Sequence, residues 1–389
     1  MEYKKLKDCC TIIAGQSPES KYYNTVGDGL PFFQGKTDFG EVYPQIRVYC
    51  SQPTKIAEKD DVLLSVRAPV GPTNLSPGKV CIGRGLTAIR PDNTIILKYL
   101  LHFFRYFEAQ LSSKGTGTTF KAITQDVVKN ITMPIPPLSD QERIVARIEE
   151  LFSELDKAVE TLQTTKQQLA VYRQAVLKEA LNNKKWKVYS IGDIVHTEEG
   201  DRGKNYPKRS DYSTEGYCLF LSAQNVRPLG WSFFDKIFIT KEKHELLHGG
   251  TMKRGDLVIT TRGTLGNVAV YDDAVPYEIV RINSCMLILR CDEKLVSPYY
   301  LSYFIMSPMF RSLIQKQKSG TAQPQIPAKQ FKELKLYLPD LSEQNRIVKE
   351  IESRLSVCDS IEQTVDTALA QADAMRQSIL KQAFEGRLV

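Results

Sequence analysis

No stretch of this chain holds eighteen consecutive apolar residues, and its opening Met1-Glu2-Tyr3-Lys4-Lys5 lacks the apolar core of a secretion signal. A membrane-spanning helix is therefore not expected, and the cytoplasm is the expected location. Eight cysteines are scattered at positions 9, 10, 50, 81, 218, 285, 291 and 358 without a C-x-x-C pair. That spacing argues against a disulfide framework or a cysteine zinc cluster, and leaves them as reduced packing residues. Catalytic signatures are sparse too. There is no Asn/Asp-Pro-Pro-aromatic stretch of an amino-methyltransferase, because Pro136-Pro137 lies between Ile135 and Leu138. No glycine-rich cofactor loop follows a strand pattern, and no carboxylate–lysine cluster suggests a nuclease.

What is present is ordinary folded-protein composition, 42% hydrophobic and 25% charged over 389 residues, enough for two domains. The net charge of +7 is unevenly placed. Residues 1–138 carry 17 Lys/Arg against 12 Asp/Glu, and residues 182–341 carry 23 against 17. The stretches 139–181 and 342–385 carry 6 against 8 and 5 against 8. Two basic regions thus alternate with two mildly acidic ones, a pattern that favours a polyanion such as nucleic acid.

The chain repeats itself. "LSDQERIVARIEELFSELD" at 138–156 returns as "LSEQNRIVKEIESRLSVCD" at 341–359, and "RQAVLKEAL" at 173–181 returns as "RQSILKQAF" at 376–384. Further upstream, Asp61-Val62-Leu63-Leu64 with Arg67 and Gly71 matches Asp256-Leu257-Val258-Ile259 with Arg262 and Gly266, and Gly29 and Asp38 match Gly216 and Asn225. The offset changes only between blocks, so a frame is duplicated while its loops differ.

Each copy reads as a module followed by one long polar helix: residues 1–138, helix 139–182, residues 183–341, helix 342–389. In the first helix Ile144, Ile148, Leu151, Leu155, Ala158, Leu162, Leu169, Tyr172 and Val176 alternate at three and four with Thr165 as the exception, a heptad seam. In the second, Ile347, Ile351, Cys358, Ile361, Val365, Ala368, Ala372, Met375 and Ile379 take the equivalent places and Arg354 interrupts. Ser139 and Glu142 have the spacing of a capping box after Pro136-Pro137, and Gly386 is placed to close the second helix. Such rods reach about 65 Å, and each must cover its stripe. The matched partner in the same chain predicts an antiparallel intramolecular coiled coil, whose pairing relates the modules by a pseudo-twofold axis like that relating the strands of a duplex.

Within the modules, "VLLSVR", "TAIRP", "LVITTR" and "MLILR" read as strands, and residues 99–111 and 299–314 as aromatic-rich helices. The expected fold class is α+β: two similar globular domains separated by two long helices.

Two motifs suggest other chemistry. His244-Glu245-Leu246-Leu247-His248 has the H-E-x-x-H spacing of zinc proteases. His248 is the last histidine, Gly249-Gly250 ends any helix at once, and the other copy fills this connector with "SQPTKIAEK", so a short charged surface helix is the expectation. "GLPFFQGKT" at 29–37 puts five residues between its glycines where a phosphate loop needs four.

The duplicated "PPLSDQERIVARIEELFSELD", the paired "GLPFFQGKTDFG" and "LFLSAQNVRP", the two S/T-x-R-x-x-x-G loops and the closing "LKQAFEGRLV" resemble the specificity subunit of Type I restriction-modification systems. The resemblance implies two target-recognition domains that each read one half of a bipartite asymmetric DNA site, with the helices setting the spacer. It implies a non-catalytic chain that binds double-stranded DNA and recruits two modification (methyltransferase) subunits and, through them, restriction/translocase subunits. S-adenosylmethionine, ATP and Mg would serve those partners, with no cofactor in this chain. Asn345, where the first copy has Glu142, and Arg354 depart from the repeat. A subunit of a related system with fused methyltransferase and nuclease is the alternative, and a zinc hydrolase using His244, Glu245 and His248 a remote one.

Base readout needs paired donors and acceptors on loops, and phosphate contacts need cations and small hydroxyls. By that criterion the DNA-binding candidates are Gln34, Lys36, Asp38, Arg67, Lys114, Thr116, Thr118, Thr119 and Lys121 in the first module. In the second they are Gln224, Asn225, Arg227, Arg262, Lys318, Thr321, Gln323 and Gln325. The coiled-coil candidates are Ile144, Ile148, Leu155, Leu162, Leu169, Ile347, Ile351, Val365 and Ile379.

Overall fold

The computed structural model describes residues 2–115, 121–317 and 325–389. It divides into two compact units: residues 1–163 with 366–389, and residues 164–365. Each unit therefore holds one module plus part of both long helices.

The apolar runs form the expected strands because both of their faces are covered. In the first module Cys10–Ala14, Leu86–Pro91, Val62–Ser65 and Thr73–Leu75 lie side by side in one antiparallel sheet. The second module repeats that order with Val195–Glu199, Met286–Cys291, Leu257–Thr260 and Val268–Val270. A parallel pairing recurs as well, Leu30–Phe33 with Val80–Ile82 and Cys218–Leu221 with Val280–Ile282. Each module is closed by its terminal strands, Glu2–Lys5 on Thr132–Ile135 and Lys187–Ser190 on Lys335–Leu338.

The aromatic helix of the first module, Leu97–Lys114, buries Tyr99, Phe103 and Phe104, and the Tyr99 hydroxyl donates to the Pro134 carbonyl at 3.0 Å. Its counterpart departs from the single helix expected over 299–314: it is two helices, Pro298–Met306 and Pro308–Gln317. Pro308 has no N–H to continue the ladder, and Ser307 turns extended, its hydroxyl donating to the Phe304 carbonyl at 2.7 Å.

The long helices run from Leu138 to Leu181 and from Leu341 to Phe384, 44 residues each. Their first turns correct the capping-box expectation. The first helix starts at Leu138, with the Pro137 carbonyl accepting from Asp140 and Gln141, so Ser139 lies inside the turn. In the second, Asp340 caps: its carboxylate accepts the Glu343 N–H at 2.9 Å. Gly386, at φ 73, closes the second helix, and the Arg387 N–H reaches back to the Gln382 carbonyl at 2.8 Å.

A repeated device fixes each helix to its module. Gln141 is fully buried; its amide oxygen accepts the Ile96 N–H at 2.9 Å and its nitrogen donates to the carbonyls of Thr94 at 2.8 Å and Pro136 at 2.9 Å. Gln344, also fully buried, does the same with the Ser297 N–H at 2.8 Å and the carbonyls of Leu295 at 2.8 Å and Pro339 at 2.9 Å.

Within each unit the two helices pair antiparallel. In the first, Ile144 and Ile148 share a core with Ile379, Leu380, Ala383 and Phe384, while Arg376 meets Asp156 and lies 5.1 Å over the Phe152 ring. In the second, Val176, Leu177 and Leu181 pack with Ile347, Val348 and Ile351, and Arg173 bonds Asp359 at 2.7 Å and Glu362 at 2.8 Å. Leu169 and Val365 are buried and Leu155 and Leu162 half-buried. Tyr172, Ile361 and Met375, counted in the seam from spacing, are 44%, 40% and 52% exposed. Near Tyr172 and Ile361, Arg354 leaves the seam for Glu179 at 3.1 Å and stacks on Tyr172, 5.5 Å from the ring. A charge that cannot be desolvated cheaply holds this stretch of the stripe open.

His102 is a buried polar group without compensation. It is 4% exposed, its Nδ1 has no hydrogen-bond partner, and its ring meets Phe152 edge-on at 5.8 Å. Burial, then the nearby Arg105 cation, holds the imidazole down at about 4, with Glu149 acting the other way. Because the unfolded chain takes up a proton near 6.5 and the folded one does not, stability falls as pH drops through the window from about 6.5 to 4, by on the order of 2–3 kcal/mol. Denaturant titrations over that range on His102→Leu should lack this component; an unchanged pH slope would refute the assignment.

Candidate nucleic-acid interface

The S/T-x-R-x-x-x-G pattern acquires a physical reason in the hairpin after each central strand. In the first module the Ser65 hydroxyl donates to the carbonyls of Arg67 at 3.1 Å and Pro69 at 2.9 Å. Gly71, at φ 115, returns the chain with its N–H on the Ser65 carbonyl at 3.0 Å. In the second, the Thr260 hydroxyl donates to the Thr264 carbonyl, and Gly266, at φ 84, returns its N–H to the Thr260 carbonyl at 3.0 Å. The hydroxyl and the glycine build a rigid loop, and the arginine between them is what the loop presents. Arg67 is exposed and Arg262 half-buried. Among the described residues neither guanidinium has a hydrogen-bond or ion-pair partner.

Arg67 lines a cleft of about 240 Å³ together with Ser17, Gln34, Lys36, Thr37 and Arg84. Gln34, Lys36 and Arg84 are exposed, so the cleft offers an amide, hydroxyls and three cations without a carboxylate. Lys121 adjoins it, since the Ala68 N–H donates to the Lys121 carbonyl at 2.9 Å and Arg67 bridges Ala122. Lys114, exposed at its helix end, sits 5.3 Å over the Phe107 ring. In the second module Arg262, bridged to Gln325, lines a cleft of about 210 Å³ with Arg202, Thr261, Glu199 and Ile326. Gln224 and Arg227 are exposed but do not line this cleft. Thr116, Thr118, Thr119, Lys318, Thr321 and Gln323 lie outside the described residues. Sequence reasoning missed Ser17, Arg84 and Arg202, which lie in separate connecting segments and share no linear pattern with the arginine loops.

Asp38 and Asn225 need correction. Both are buried, and their side chains are spent on their own loops. The Asp38 carboxylate accepts the Gln34 N–H at 2.8 Å and pairs with Arg47. The Asn225 oxygen accepts the Ser222 N–H at 2.8 Å, and its nitrogen donates to the carbonyls of Ser232 at 3.0 Å and Asp235 at 2.8 Å. A polar group so engaged shapes the loop while its neighbours face solvent.

The H-E-x-x-H motif is not built for zinc. Its helix spans only Lys241–Glu245, so His248 leaves the helical face on which the two histidines would align. Arg281, 3% exposed, donates to the carbonyls of His244 at 3.2 Å and Gly249, and its Nε lies 3.4 Å from His244 Nδ1. Burial and that cation lower the pKa of His244, and a fixed positive charge opposes a metal. No group of three His, Cys, Asp or Glu residues among the described residues is placed to hold a metal ion, and no helix among them is long and apolar enough to cross a membrane.

The duplicated architecture has known counterparts. The family model for the Type I restriction modification DNA specificity domain matches residues 1–169 and again 183–371. A putative type I restriction enzyme MjaX specificity subunit from Methanocaldococcus jannaschii is 37% identical over 174 residues, 44% of this chain and 40% of that protein. The type I restriction enzyme EcoKI specificity subunit of Escherichia coli strain K12 is 26% identical over 327 residues, 80% of this chain and 70% of that one. The match to the EcoBI specificity subunit of Escherichia coli likewise spans only 65% of that protein. In fold, the chain is similar to one from a type I R-M system solved for its complex assembly and conformational transition, with a TM-score of 0.78 at 20% identity and coverage of 99% and 98%. It is also similar to the HsdS subunit from Thermoanaerobacter tengcongensis, with a TM-score of 0.58 at 20% identity, covering 99% of this chain and 97% of that one. With both copies matched over most of their length, the chain belongs to the Type I restriction modification DNA specificity domain family.

Proposed function

We propose that this chain is the non-catalytic DNA-specificity subunit of a type I restriction-modification system acting on double-stranded DNA in the cytoplasm. The modules of residues 1–138 and 183–341 each read one half of a bipartite, asymmetric site. The helices of 139–182 and 342–389 set the spacer and dock two modification subunits that methylate adenine, and restriction/translocase subunits join through these. S-adenosylmethionine, ATP and Mg act in the partners.

The observation that carries this reading is the repeated loop that holds an arginine, Arg67 or Arg262, without a side-chain partner among the described residues, at the rim of a polar cleft in each module. Phosphate contacts need mobile cations, and base contacts need amides beside them, as Gln34 stands beside Lys36 and Arg67. The loops differ between modules while the frame does not, which suits two different half-sites. Deleting the chain from its host should erase adenine methylation at one bipartite sequence. Restoring it as Arg67→Ala/Arg262→Ala should give an assembly whose duplex binding falls less steeply with salt, by a slope of about two, as two phosphate contacts are lost. Methylation that persists without the chain would sink the proposal.

A further inference from the structure

Phe234 is 92% exposed, the most exposed large hydrophobic side chain among the described residues. Neighbouring aromatics turn inward: Phe233 stacks on Trp231 at 5.8 Å and meets Tyr277 edge-on at 5.2 Å. Trp231 in turn donates its indole N–H to the Val270 carbonyl at 2.9 Å. The exposure of Phe234 is therefore not that of a loose loop. Asn225, 3% exposed, grips the chain on both sides of it through the Ser232 and Asp235 carbonyls, and the Ser232 N–H returns to the Asn225 carbonyl at 2.8 Å. Asn225 directly follows Gln224, so the turn that holds the phenyl ring out also carries an exposed amide at Gln224 and exposed cations at Arg227 and Lys236, against the carboxylate of Asp235.

The first module makes the contrast informative. There the Gln45 N–H bonds the Asp38 carbonyl at 2.7 Å in the place of the Ser232–Asn225 bond, so Arg47 stands where the second module has Phe234. Asp38 is a carboxylate and draws Arg47 in as its counter-ion, whereas Asn225 is neutral and satisfies the turn with its own amide. The second module is thereby free to place an apolar ring at that position.

We propose that Phe234 is an apolar wedge that stacks against one base step of the half-site read by the second module. Aromatic and aliphatic side chains inserted between base pairs unstack a flexible step and gain burial from it. The flanking cations and amide fit a phosphate-lined groove better than an apolar protein surface. The proposal rests on the DNA-reading function above and adds to it a recognition element absent from the first module.

The test uses the full assembly with its modification subunits and duplexes carrying its methylation target, with 2-aminopurine placed at successive positions other than the methylated adenine. The wild type should raise fluorescence at one step of the half-site assigned to residues 183–341. Phe234→Ala should lose that signal and bind about tenfold more weakly, while Phe234→Leu, still a wedge, should keep it. Duplex binding with an unchanged profile and affinity in Phe234→Ala overturns the wedge alone. Loss of a modification subunit from Phe234→Ala with the DNA profile intact makes the tip a protein contact and also overturns it. Absence of duplex binding by the wild type overturns the DNA reading beneath it.

Discussion

Arg290→Met is expected to destabilise the second unit by about 3–5 kcal/mol, because it strands a buried carboxylate. Asp256 is 2% exposed, and its two oxygens face Arg290 Nε at 2.9 Å and a terminal guanidinium nitrogen at 2.8 Å. Without the arginine, the Lys253 N–H, at 2.7 Å, is what remains among the described residues to stabilise the charge. Glu198, which meets the same guanidinium at 3.2 Å, loses its ion-pair partner too and keeps the Gly250 N–H at 2.6 Å. The first module contains the equivalent pair, Asp61 with Arg90 at 2.7 and 2.9 Å, but the Arg90 side chain is 41% exposed where Arg290 is 27%. Asp61 is nonetheless as buried as Asp256, 1% exposed, so Arg90→Met should strand a carboxylate in the first unit as well. Fluorescence separates the two units, since the chain's two tryptophans, Trp186 and Trp231, both lie within residues 164–365. Urea unfolding followed by tryptophan emission should shift to lower denaturant in Arg290→Met and stay in place in Arg90→Met. Asp256→Leu/Arg290→Met should recover much of the loss, because it removes the fully buried carboxylate together with its counter-ion. An equal tryptophan shift in Arg90→Met would mean that the deficit is not confined to the second unit.

That pair was half visible in the sequence. Asp61 and Asp256 stand at the head of matched strand patterns and were aligned as such, yet nothing local identifies Arg90 or Arg290 as their partners. The same holds elsewhere. Apolar period and repeat offset revealed the strands and the long helices, since these depend on short-range pattern. Gln141 and Gln344 repeat at the same offset, but a polar letter in a polar helix reads as surface until its backbone partners, 45 and 47 residues upstream, are known. The glycine of the arginine loops was legible as a repeated residue and not as the positive φ that demands it. Asp38 and Asn225 were aligned correctly and misread chemically, because side-chain polarity does not reveal whether a loop has already used it. The H-E-x-x-H motif failed for a similar reason, as Arg281, which occupies the turn, lies 37 residues from His244.

The largest functional effect is expected from exchanging residues 183–341 for the equivalent module of a relative. Methylation should move to a site with one new half and one old half. The abandoned half should lose about 1–3 kcal/mol for each base pair no longer matched, on the order of a thousandfold over roughly three positions. The structure gives a reason why such an exchange should be tolerated. Gln344, which ties the second long helix to this module, bonds only to main-chain groups: the Ser297 N–H and the carbonyls of Leu295 and Pro339. Gln141 likewise bonds only to the main chain of Ile96, Thr94 and Pro136. A tether that reads backbone places no demand on module side chains, and the remaining demand is the apolar face of Tyr300, Leu301 and Leu336 on which Ile347, Val348 and Ile351 pack, so a foreign module that keeps the frame and that face can dock with its own loops. Adding Gln344→Ala to the exchanged chain should weaken docking whatever the incoming sequence, leaving buried N–H and C=O groups unpaired. Sequencing of methylated DNA from cells expressing the hybrid decides the matter: a change confined to one half supports independent readers, and a simultaneous change in both halves would show that the modules do not recognise DNA separately.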